Sequence, residues 1–127
     1  MISYATITAF EHEFKKLLKK YPSLEKDFAT LRRAVIELYH VKNINPNAIF
    51  PIPGVGGAGK YMAIKVKKFA CQYLKGKGAN TGLRLIYVYD PAKEQITFLE
   101  IYCKADKANE DRNRIKKFIT QFEKGNL

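Results

Sequence analysis

Apolar residues recur along this chain at two spacings, and the points where one spacing gives way to the other divide it into elements. Ile2 to Ile7 alternates apolar and small polar residues with β-branched members, which predicts a short first strand. Thr8-Ala9-Phe10-Glu11 has the spacing of a capping box, hydroxyl first and carboxylate three residues later, so a helix is expected to start there. Phe10, Phe14, Leu17, Leu18 and Tyr21 then follow at helical spacing, with Lys15, Lys16, Lys19 and Lys20 on the outer face. Pro22 ends that helix and Ser23 can cap a second, whose buried face is marked by Leu24, Phe28, Leu31, Val35 and Leu38. The two form a helical hairpin.

The periodicity breaks from Val41 to about Lys60, where Pro46, Pro51 and Pro53 and then Gly54, Gly56, Gly57 and Gly59 spell a long Pro/Gly loop (41–60). Alternation resumes at Tyr61 to Ala70, with Met62, Ile64 and Val66 on one face and Lys65 and Lys67 on the other. A glycine-rich connector, Lys75 to Gly82, leads to a dense strand at Leu83 to Tyr89 that carries Arg84. Asp90-Pro91-Ala92-Lys93 reads as a turn, Glu94 to Cys103 as a further strand, and Ile115, Phe118, Ile119 and Phe122 as the apolar face of a last helix. The expected order is β-α-α-β-β-β-α. It describes one α+β domain over residues 1–127, an antiparallel sheet packed by an N-terminal helical hairpin and a C-terminal helix.

Composition adds little to that outline, but charge adds a good deal. The chain has a formal net charge of +11, and residues 60–89 hold seven basic side chains and no acidic one. Lys60, Lys65, Lys67, Lys68, Lys75, Lys77 and Arg84 therefore concentrate the excess in a strand-rich window rather than a tail, and the expected partner is anionic. No apolar run approaches the roughly 20 residues of a spanning helix, and the N-terminal alternation is unlike a signal segment, so a cytoplasmic protein without membrane contact is expected. Cys71 and Cys103 sit inside apparent strands without CxxC or histidine companions and are expected to be reduced packing residues, not zinc ligands. His12 and His40 have no recognisable partner in the sequence.

Gly54 to Lys60 satisfies G-x-x-x-x-G-K, the phosphate-cradling loop of nucleotide hydrolases, but Tyr61 stands where Ser or Thr holds magnesium. The loop also follows prolines and leads into a strand, so no nucleotide cofactor is expected. The basic set suits different chemistry. Cleavage of RNA by its own 2′-OH builds negative charge on phosphorus and on the leaving oxygen, which fixed cations stabilise. Arg84 is the expected phosphate clamp because its planar fork can grip two oxygens. Lys65, crowded by Lys67 and Lys68, is the expected acid or base, with Tyr102 or Tyr61 as the other proton-transfer group. Tyr61, Phe69, Tyr87 and Tyr89 can stack bases, although at strand spacing they suit the core.

Three stretches, FEHEFKKLLKKYPSLEKDFATL, IKVKKF followed by KGKGANTGLRLIYVYD, and FLEIYCKADKANED, taken in the β-α-α-β-β-β-α order, resemble the RelE/ParE superfamily of toxins from toxin–antitoxin modules. The long 41–60 loop departs from the smallest members. The resemblance implies a RelE-like, metal-independent endoribonuclease that cleaves messenger RNA on the ribosome and is neutralised by a cognate acidic antitoxin. It implies roles for Lys65, Lys67 and Arg84 in catalysis and for Lys104 and Lys107 in RNA binding, and no cofactor. Where many ribonuclease members carry a Tyr or His beside the last strand, this chain has Asn109, Glu110 and Asp111. That departure keeps open a ParE-like, gyrase-binding or catalytically inactive member of the same fold. A basic RNA-binding module outside the family is the third reading.

Overall fold

Strand β1 (Ser3–Thr6) runs into helix α1 (Thr8–Lys20), and α2 (Leu24–Leu31) continues through a π-helical stretch, Arg32–Glu37, into α3 (Leu38–Lys42). The sheet then takes β2 (Ile49–Pro51), β3 (Met62–Val66), β4 (Leu83–Asp90) and β5 (Gln95–Cys103), and α4 (Arg112–Glu123) closes the chain. The computed structural model describes residues 2–57, 59–67, 69–71, 73 and 81–125. Among them, no helix is long and apolar enough to cross a membrane. The domain is α+β, as the periodicities imply, with helices on both sides of a five-stranded sheet of order β1-β5-β4-β3-β2.

Two features of the sheet correct the sequence reading. Pairing is antiparallel from β2 to β5, but β1 lies parallel to β5, with Tyr4 opposite Ile96 and Thr6 opposite Phe98, so the sheet is mixed rather than antiparallel. A period of two is the same in either direction, so the alternation of Ile2 to Ile7 carries no information about direction. The second correction is β2, a three-residue strand inside the Pro/Gly loop. It forms because Ile49 is buried against Val66 while Pro51 occupies the sheet edge, where its missing N–H costs no ladder bond.

The two faces of the sheet bury separate cores. Phe10, Leu24, Leu31 and Ile36 of the hairpin pack on Ile64, Val66, Leu85, Tyr87 and Phe98. Phe98 is 1% exposed and touches the rings of Tyr4, Phe10, Phe28 and Tyr87. On the opposite face Ile115, Phe118 and Ile119 of α4 pack on Ala63, Ile86, Val88 and Leu99. A bulge serves both cores: Ile86 is opposite Glu100 but Tyr87 is opposite Phe98, so Leu99 is the extra residue of β5. It reverses the side-chain parity along β5. Ile96 and Phe98 face the hairpin before it and Ile101 and Cys103 after it.

Beyond the end of β1, the outer edge of β5 is finished by side chains instead of a strand. Glu13 of α1 accepts from the Ile101 amide (3.3 Å), Arg114 of α4 donates to the Leu99 carbonyl (2.8 Å), and Glu13 and Arg114 bond each other at 3.0 Å. Backbone groups that would otherwise lie unpaired are satisfied from both helical layers.

Local capping differs from expectation. The Thr8–Glu11 box does not close: Ile7 is the cap residue, its carbonyl accepting the Glu11 amide, and Glu11 bonds the Thr6 hydroxyl. Ser23 likewise makes no side-chain cap on α2. Its hydroxyl donates to Asp27 (2.7 Å) and accepts from the Tyr73 amide (2.8 Å). The turn after β4 is as read, with Asp90 accepting from the Ala92 amide at 3.1 Å. Cys71 and Cys103 are buried free thiols, and Cys71 lies past the end of β3 rather than inside a strand.

Candidate nucleic-acid interface

The alternation of β3 decides which side chains can meet. Met62, Ile64 and Val66 point to the hairpin, so Ala63, Lys65 and Lys67 point to the α4 side. Helix α4 covers Ala63 together with Ile86 and Val88 and leaves Lys65 and Lys67 at its N-terminal end. Phe50 of β2 is directly opposite Lys65, and the Lys67 ammonium lies 4.5 Å from the centre of the Phe50 ring. Phe50, Pro51, Ile52, Pro53, Lys65, Lys67, Glu110 and Arg112 line an open cleft of about 130 Å³.

The connector between β5 and α4 brings Glu110 and Arg112 to that cleft. Its anchor is Glu100, a carboxylate only 1% exposed, which accepts the Asp111 amide at 2.9 Å and pairs with the Lys107 ammonium. Asp111 then caps α4 by accepting from the Arg114 amide at 3.0 Å, and Arg112 reaches back to the Pro53 carbonyl. Glycines of the preceding loop allow this closeness: at Gly57 (φ +85°) a Cβ would meet Tyr61 at 3.2 Å and Ile119 of α4 at 3.3 Å. The G-x-x-x-x-G-K sequence thus packs a loop on a helix and is followed by a strand, not by the helix that a phosphate loop needs.

Within the cleft, Nζ of Lys65 lies 2.5 Å from Oε1 of Glu110, with side-chain exposures of only 15% and 10%, and Arg112 lies 3.6 Å from Oε2. Burial alone would raise the Glu110 carboxyl, but the contact with Lys65 and the fields of Lys65 and Arg112 outweigh it and hold the group below its ordinary value. Glu110 is therefore ionised at neutral pH. Three cations, Lys65, Lys67 and Arg112, less one carboxylate leave the lining with a charge of +2. The surroundings of Lys65 differ from those inferred from the run of lysines: its ammonium rests on a carboxylate, and that of Lys67 rests on an aromatic ring.

Arg84 stands opposite Tyr102 on the same face, and one terminal nitrogen donates to the Lys67 carbonyl at 2.9 Å and the Leu83 carbonyl at 3.2 Å. Its guanidinium thus holds the end of β3 to β4 beside the cleft. Tyr102 is 7% exposed, and burial, with Glu110 and Glu100 adding to it against Arg84, pushes its phenol up to about 12. A neutral phenol of this kind can donate a proton and cannot serve as a base at pH 7. Tyr61 packs edge-on against Phe122 of α4. Phe69 and Tyr87 are fully buried in the core, and the half-buried Tyr89 packs against it with its ring tilted on His40.

The remaining sequence candidates are dispersed. Lys60 is exposed on the glycine loop, its amide donating to Gly57, and Lys104 is exposed beyond β5, its amide donating to Gly82. Lys107 is paired with Glu100. Lys68, Lys75 and Lys77 lie outside the described residues. His40 acquires the partner the sequence did not reveal: its Nε2 lies 2.7 Å from the Tyr87 hydroxyl, and burial lowers the ring to about 4.

Glu110, Arg112 and Phe50 are the site residues that sequence reasoning did not nominate. Glu110 carried one signal, since it stands in the Asn109–Asp111 segment where a proton-transfer group is looked for. Phe50 had only the short apolar run Ala48-Ile49-Phe50 inside the Pro/Gly loop. No family model matches this chain, and no curated protein matches it.

Proposed function

We propose that this chain is a RelE-like toxin of the RelE/ParE superfamily, a metal-independent endoribonuclease acting in the cytoplasm on messenger RNA at the ribosome and neutralised by a cognate acidic antitoxin. The observation that carries the reading is the Lys65–Glu110 pair at the floor of a cationic, open cleft. Glu110, ionised at neutral pH, takes the proton of a ribose 2′-OH. The freed oxygen bonds to the adjacent phosphorus, the bond from phosphorus to the 5′-oxygen breaks, and the Lys65 ammonium protonates that leaving oxygen. The products are a 2′,3′-cyclic phosphate and a 5′-hydroxyl. Proton return from Glu110 to Lys65 restores the pair. Lys67, Arg112 and Arg84 supply positive charge to the phosphorane, and loss of one such donor costs about 100- to 1000-fold in rate.

Inducing the chain in bacteria tests this. Growth arrest with messages cut only in translated regions, relieved by Lys65→Ala combined with Arg84→Ala, is the expected result. Intact messages with accumulating DNA breaks would move the assignment to a ParE-like gyrase binder, and growth without either lesion to an inactive, binding-only member. One observation favours that second reading: Arg84 spends donors on the Lys67 and Leu83 carbonyls, an arrangement that also suits a cation held for structure.

A further inference from the structure

We infer that Phe50, with Lys67 beside it, forms a nucleobase subsite that holds one unstacked base of single-stranded RNA next to the phosphate bound at Lys65 and Arg112. The inference rests on the ribonuclease reading for its substrate class, and it adds a residue and a recognition element from the 41–60 loop. Phe50 is an aromatic residue 38% exposed, unlike the deeply buried Tyr87 and Phe98 of the same sheet. It lies on β2, an edge strand, and among the described residues no further strand pairs with it on that side. Its position opposite Lys65 puts the ring within one cross-strand spacing of the cation paired to Glu110.

Three properties select a base over other occupants. The cleft, about 130 Å³, is on the scale of the roughly 150 Å³ void that takes one benzene ring, so it suits one flat ring rather than a folded segment. Its lining is cationic on the Lys67 and Arg112 sides, which places a backbone phosphate within reach of a stacked base. Pro51 in the strand and Pro53 just after it remove N–H donors from the edge, so β2 is poorly made for adding a strand of a peptide partner.

The test uses the full chain and short 2′-O-methyl oligonucleotides, which cannot be cleaved, with a base or an abasic site at one position and 2-aminopurine as the fluorescent base. Base-bearing oligonucleotide is expected to bind about ten- to a hundredfold more tightly than its abasic twin, with quenching of the 2-aminopurine. Phe50→Ala is expected to abolish that margin and the quenching, and Phe50→Trp to keep both. Because Phe50 is exposed, unchanged circular dichroism is expected for both variants. Equal binding of base-bearing and abasic oligonucleotides, binding of neither, or a margin that survives Phe50→Ala would overturn the subsite, as would Phe50-dependent capture of an acidic peptide without any base preference. Cleavage of the matching 2′-OH oligonucleotide and of ribosome-bound message is followed separately. A base preference without cleavage removes the ribonuclease assignment and leaves the subsite, whereas cleavage without a base preference does the reverse.

Discussion

Replacing Glu110 by Gln keeps the shape of the side chain and an acceptor oxygen but removes the charge that faces Lys65. At 2.5 Å and an effective dielectric of ~20, the attraction between the two charges is about 7 kcal/mol before solvation. Withdrawing both ions from water offsets much of that. Breaking a buried pair costs ~3–5 kcal/mol and breaking an exposed one ~0–1 kcal/mol. Side-chain exposures of 15% and 10% place this pair nearer the first, and the acceptor kept by Gln softens the loss, so ~2–3 kcal/mol is expected. In a domain of this length that is roughly a 10 °C fall in Tm. The fall also has a pH signature. The folded-state pKa of Glu110 is depressed, so its contribution is fully present above the unfolded value of about 4.3 and is lost as pH falls through the lower folded value. Thermal unfolding followed by circular dichroism at pH 7 and at successively lower pH should show the gap between wild type and Glu110→Gln wide at neutrality and closing below about pH 4. Cleavage should fall by about 100- to 10,000-fold at a temperature where both proteins are folded. A Tm within 2 °C of wild type, or a gap that persists unchanged into acid, would refute the paired, ionised state; full cleavage by the folded variant would refute its role as base.

Further outcomes follow from the same contacts. Phe98→Ala removes the ring at the centre of the hairpin-side aromatic cluster and should cost ~3–5 kcal/mol by urea denaturation, with a loss below 2 kcal/mol arguing against that packing. Gly57→Ala should destabilise more than Gly59→Ala, by about 1 kcal/mol. Both positions carry positive φ, but only the first has Tyr61 and Ile119 where the methyl would go, so equal losses would place α4 elsewhere. His40 should stay neutral until about pH 4 in a proton NMR titration, its pKa depressed by burial. Because the folded value lies below the unfolded one of about 6.5, stability due to this ring is lost as pH drops from there towards 4, and titration near 6.5 would refute its burial against Tyr87.

The hairpin helices, β3 and the last helix were legible in the sequence because one face of each is set by apolar residues at a fixed period, whereas β4 and β5, buried on both faces, were legible as dense runs of β-branched and aromatic residues. Phe10 to Tyr21, Met62 to Val66 and Ile115 to Phe122 announce their elements by such a period. Lys65, Lys67 and Arg84 were nameable for the same reason, since a strand that buries alternate residues presents the others together. Three things had no local signature. The direction of β1 was decided by where the free edge of β5 lay, and β2 by the space beside Val66. The parity along β5 was decided by a single extra residue, Leu99, which switches the hairpin-facing set from Ile96 and Phe98 to Ile101 and Cys103. The charge of the site was also a tertiary matter. The sequence presented a cationic strand, but the partner of Lys65 comes from 45 residues further on, carried into the cleft by the bonds that Glu100 makes to Asp111 and Lys107. Sequence determined which side chains lie on a face; the packing of α4 against the sheet determined that a carboxylate and an exposed aromatic ring meet them there.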